Sequence, residues 1–180
     1  LLLNGNRSIN DIVVDGIITI GDDTLTVNGE STINDSISIG TGGLTANDIF
    51  DNNGAISIAT GTLDVNDHFD GSGGSITFTD AAGHITLAST VTSLGTLSSD
   101  NGTVTYDGTD QIVLGYVYYN LVIGGSSGIK TLDNNVSVFY GDFAVNSDVT
   151  CAVSEHALTL HGTSVVNGTI TVSTGIIDAN

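Results

Sequence analysis

Three consecutive segments of the chain repeat one pattern: LTVNGESTINDSISIGTGG (25–43), LTANDIFDNNGAISIATGT (44–62) and LDVNDHFDGSGGSITFTDAAG (63–83). Leu25, Leu44 and Leu63 lie 19 residues apart, as do Asn28, Asn47 and Asn66, and Phe50 and Phe69. Ile18, Ile37 and Ile56 keep the same period, and so do Ile20, Ile39 and Ile58. After a small insertion, Ile76 and Phe78 fill those columns. Further on, the opening phrase returns as FAVN (143–146) and IDAN (177–180). A period near 19–22 filled with short apolar-alternating runs specifies a solenoid: each unit cannot bury its apolar face alone, so units stack. The fold class is therefore all-β, a parallel β-solenoid with coils of about 19–22 residues, roughly nine over the chain.

Alternation fixes which side chains face inward. Leu25 and Val27 point in and Thr26 out; Ile37 and Ile39 point in, and Ser36 and Ser38 out. Stacked at about 4.8 Å, each inward Leu or Ile lies on its equivalent, and burying one contributes about 1.5–3 kcal/mol. Asn28, Asn47 and Asn66 follow the inward pair at a corner. Asn tolerates tight turns, and its amides can hydrogen-bond up a column, so these three are expected to form a structural ladder.

Composition agrees. Pro, Trp and Met are absent, and Lys, Arg and Glu are nearly so, which removes most helix formers. The net charge of −18 argues against nucleic acid, which needs a basic footprint, and against anionic lipid. No apolar run is long enough for a spanning helix, so no membrane insertion is expected. Cys151 stands alone, in step with Val149 and Val153, and reads as a core thiol.

Over 84–101 the 19-residue register loosens, with no linker composition, so 1–180 reads as a single solenoid segment with coils of varying length. Beyond it the tyrosines gather: Tyr106, then Tyr116, Tyr118 and Tyr119. Alternation places Tyr119 with Leu121 and Ile123 on one face, and Tyr118 with Asn120 and Val122 on the other. Two readings stay open: aromatic packing where the coil cross-section changes, or a sugar-stacking platform made of Tyr106, Tyr116 and Tyr118.

The phrases GTVTYDGTDQ (102–111), YYNLVIGGSSGIKTLDNNVSV (118–138) and FAVNSDVT (143–150) resemble repeats of large secreted surface proteins of Bacteroidota, filamentous-haemagglutinin-like adhesins exported by the type IX route. The resemblance covers roughly 84–180 well and the remainder by style. It implies a right-handed parallel β-helix, an extracellular or cell-surface location, a structural or adhesive role and no catalytic residues. It also implies that 1–180 is an excerpt of a longer repetitive chain.

Polysaccharide hydrolysis needs carboxylates held together, yet the only adjacent acidic pair, Asp22–Asp23, and the DGTD run (107–110) read as turns. Arg7 and Lys130, the only basic residues, fall in different coils. The four histidines show no ligand spacing, so no metal site and no cofactor are assigned, although acidic turns leave room for weak Ca²⁺ binding. Thr24 and Ser36, in DTL and DSI, resemble the O-glycosylation acceptors of Bacteroidota. The leading expectation is a non-enzymatic adhesive or fibre segment that assembles with copies of itself. The alternatives are a non-catalytic carbohydrate-binding solenoid that contacts surface glycans and, less favoured, a polysaccharide-degrading β-helix enzyme.

Overall fold

In a computed structural model the chain folds into short parallel strands and turns, with no helix among the described residues, which are 1–98 and 100–180. It is a β-solenoid, as the period requires. It packs as two compact units, Leu1–Gly102 and Thr103–Asn180, both built from the same three-strand coil.

The first unit has five coils. Their first strands are Arg7–Ile9, Thr24–Val27, Gly43–Ala46, Thr62–Val65 and His84–Leu87. Each pairs in parallel with the next, so that Leu25 lies on Leu44 and Leu44 on Leu63. In the third ladder Ile18, Ile37, Ile56 and Ile76 are in register, as are Ile20, Ile39, Ile58 and Phe78. The strand Ser36–Ile39 shows why these sequences form strands: half-buried and buried residues alternate, and one apolar column is filled per inward position. In the second ladder Ser31, Phe50, Phe69 and Val91 share a column. The Phe50 and Phe69 rings stack at 5.7 Å, 18° from parallel.

The second unit has four coils. Its register is as regular as that of the first, but its coil length is not. Val104 pairs with Leu121, 17 residues on, whereas Leu121 pairs with Phe143, 22 on. Strand register is set by which residues face the core, so the turns absorb the difference. One such turn delivers the chain into the strand Gly128–Leu132 with φ of +93° at Gly128, the left-handed region open to glycine. The column Gln111, Lys130, Cys151, Ile170 then runs through the second ladder.

Candidate functional site

The tyrosines separate into two environments. Tyr106 and Tyr118 are fully buried. They cannot form the surface platform expected of Tyr106, Tyr116 and Tyr118; Tyr116 is half-buried, with its ring 6.3 Å from that of Tyr118. The expected facing is corrected as well. Tyr118, Leu121 and Ile123 all point inward, because a bend at Tyr119 separates the strand Val117–Tyr118 from Asn120–Ile123 and resets the alternation.

The buried pair has a defined task. The rings meet edge to face at 6.4 Å and 83°. The Tyr118 hydroxyl donates to the Leu114 carbonyl (2.7 Å), and the Leu114 N–H points to the Tyr106 hydroxyl (3.4 Å). The two hydroxyls are 3.0 Å apart. Each phenol has one hydrogen, and that of Tyr118 is committed to Leu114. Tyr106 therefore donates to Tyr118. Leu114 lies just past the strand Gln111–Val113; its carbonyl also accepts from the Tyr116 N–H (3.0 Å), and the tyrosine hydroxyls complete the bonding of its backbone. Burial pushes both phenols well above the ordinary tyrosine range.

Lys130 is a buried charged side chain. Its ammonium donates to the Ser127 carbonyl (2.8 Å) and, more weakly, to that of Thr109 (3.4 Å). Burial lowers its pKa, opposed by the carboxylates of Asp107 and Asp110. The lone thiol, Cys151, is buried, and burial raises its pKa to about 11, which keeps it protonated and unreactive.

The polar surface elements behave as scaffold. Asn66 donates to the Asn47 carbonyl oxygen (2.9 Å), Asn47 to that of Asn28 (3.1 Å), and Asn28 to the Ser8 hydroxyl (3.0 Å), which is the expected ladder. Asp23 accepts from the Gly5 N–H (2.7 Å) and Asp110 from the Ile129 N–H (2.9 Å), so these turn acids fasten one coil to the next. Thr24 and Ser36 begin the strands Thr24–Val27 and Ser36–Ile39 at outward, half-buried positions. Among the described residues no group of three or more His, Cys, Asp or Glu could hold a metal ion.

One surface feature departs from this pattern, and the sequence reading missed it. In the second unit the residues just after the third-ladder strands occupy one corner column. The Phe139 N–H bonds to the Tyr118 carbonyl (3.2 Å), the His161 N–H to that of Val138 (3.0 Å), and the Asn180 N–H to that of Leu160 (2.9 Å). The column therefore runs Tyr119, Phe139, His161, Asn180. The Phe139 and His161 rings lie 4.4 Å apart, tilted by 32°, and Tyr140 leans on Phe139 at 6.0 Å. Tyr140 is 74% exposed and Phe139 38%, whereas Phe50, Phe69, Phe78 and Phe143 are all buried. The signal available was the pair Phe139–Tyr140 itself, lying outside any alternating run.

Comparisons with protein-family models, with curated proteins and with solved structures find no match to this chain. What the fold defines is the class, a parallel β-solenoid repeat protein.

Proposed function

We propose that the chain is an extracellular structural and adhesive β-solenoid, part of a cell-surface adhesin or fibre, whose coils stack on more of the same. The observation that carries this reading is the internal repeat: coil after coil offers the next the same strand backbone and the same apolar columns, Leu25 on Leu44 on Leu63 and Ile37 on Ile56 on Ile76. A surface built this way matches a further coil of the same kind, and strand edges pair unless blocked. The acidic sides, with a net charge of −18, oppose lateral clumping and leave axial stacking open. The resemblance of 102–150 to Bacteroidota surface adhesins supports the location and the role.

Light scattering of the 180-residue chain over a concentration series, with electron microscopy of the same samples, tests the assembly. Growth in mass with concentration, as unbranched rods, is expected. A monodisperse, cooperatively melting monomer at every concentration overturns axial assembly. The adhesive part is tested by attachment of fluorescently labelled chain to host-cell monolayers. A second reading, a carbohydrate-binding solenoid without catalysis, is favoured by the exposed aromatic corner at Phe139 and Tyr140.

A further inference from the structure

We propose that the corner formed by Phe139, Tyr140 and His161 is a stacking site for a neutral pyranose glycan. The inference specifies the ligand of the adhesive reading and rests on it. Its first ground is exposure. The fold buries its other phenylalanines and the Tyr106–Tyr118 pair, yet holds Tyr140 at 74% and Phe139 at 38% exposure, side by side. An aromatic face in water is a cost that ordinary folding removes, and a clustered aromatic surface marks a contact site.

Its second ground is preorganisation. The turn 139–142 is pinned from below: the Asn120 side-chain oxygen accepts from the Asp142 N–H (2.7 Å) and its amide donates to the Thr103 hydroxyl (3.2 Å). Gly141 lies flat on the coil beneath, where any Cβ would come within 2.6 Å of the Tyr119 carbonyl oxygen. The Phe139 ring packs against the tilted His161 ring of the next coil. The backbone that carries the rings is thus fixed before a ligand arrives, which lowers the entropy lost on binding.

Its third ground is chemistry. The C–H face of a pyranose lies flat on an aromatic ring while its hydroxyls seek hydrogen bonds at the rim. Here Asp142 and Thr163, both exposed, follow Tyr140 and His161 in the chain and sit one coil apart, because Phe143 pairs with Ser164. A carboxylate and a hydroxyl suit sugar hydroxyls. The chain's charge of −18 repels a polyanion, so an uncharged glycan is selected over an acidic one.

The test uses the full chain against cello-, manno-, galacto- and chito-oligosaccharides, with polygalacturonate as the acidic control. Binding is read by calorimetry and by tyrosine fluorescence, which no tryptophan obscures. At least one neutral series is expected to bind and polygalacturonate not to. Tyr140→Ala should weaken binding by roughly tenfold or more at unchanged melting temperature, and Tyr140→Phe should stay within about threefold of the parent. Three results overturn the site: no neutral oligosaccharide binds; Tyr140→Ala binds as the parent does; or Tyr140→Ala abolishes self-association instead, which makes the corner an interface between copies. Cell attachment run in parallel separates the two claims. Attachment that survives Tyr140→Ala while glycan binding is lost removes this site from adhesion and leaves the adhesive reading standing. Glycan binding by a parent chain that attaches to no cell removes the adhesive reading alone.

Discussion

The hydroxyl oxygens of Tyr106 and Tyr118 lie 3.0 Å apart in the core and close a ring of three hydrogen bonds through both polar groups of the Leu114 backbone. Removing either hydroxyl opens the ring and leaves a buried polar group short of a partner. Tyr118→Phe and Tyr106→Phe should each cost about 1–3 kcal/mol by urea denaturation. The double substitution should cost clearly less than the sum, because both singles break the same ring. Strict additivity would mean that the two hydroxyls act independently.

Alkali should loosen the fold. Burial raises the Cys151 thiol to about 11 and lifts both buried phenols, so the folded chain holds protons that the unfolded chain gives up. Stability from these groups is complete below about pH 9 and falls as pH rises; for Cys151 the loss approaches about 3 kcal/mol by pH 11. Lys130 acts in the opposite sense, since its lowered pKa makes the unfolded chain the better proton binder just below 10.5. With three groups against one, the urea midpoint should fall above about pH 9. Cys151→Ala should remove the earliest part of that fall. A midpoint that climbs through this range would show that Lys130 outweighs the others.

Facing can be tested by two adjacent substitutions. Ile56 is buried between Ile37 and Ile76, so Ile56→Asp places an unpaired charge in the column and should cost more than about 4 kcal/mol or prevent folding. Ser57 points outward, and Ser57→Asp should change the melting temperature little. Equal effects would contradict the inward column.

Ser31 gives a prediction of the opposite sign. It is buried directly beneath Phe50, and its hydroxyl has no hydrogen-bond partner. Ser31→Ala removes the unpaired oxygen with little change of volume and should stabilise the chain by about 1 kcal/mol. A loss of stability on thermal melting would reveal a hydrogen bond not visible in this geometry.

How far the sequence could be read depended on how regular the local pattern was. Between residues 18 and 66 a fixed period and strict alternation coincide, so the pairing Ile37–Ile56 and the Asn28–Asn47–Asn66 ladder follow from counting alone, and Ile76 joins the column once a small insertion is allowed for. The tyrosine facing did not, because a bend at Tyr119 shifts the phase by one residue and alternation carries no mark of a bend. Lys130 is a harder case. In GIKTL the apolar Ile129 looks like the inward residue, yet it is half exposed while Lys130 is buried. The carbonyl oxygens that make this tolerable come from turns at 109 and 127, and no local pattern announces them. The aromatic corner lay between strands, where periodicity says nothing about exposure.

The 19-residue offset joining Leu25 to Leu44 and Leu44 to Leu63 also bears on how such a chain acquires its length. A tandem duplication of residues 25–43 would offer the same donors, acceptors and apolar columns on its upper face as on its lower. The copy would meet both neighbours without any compensating change. Gain or loss of whole 19-residue stretches is thus nearly neutral for folding, whereas a one-residue slip would turn every inward Leu and Ile outward. Inheritance in such a protein is expected to proceed in whole units, with lineages differing in the number of courses laid and agreeing in the brick.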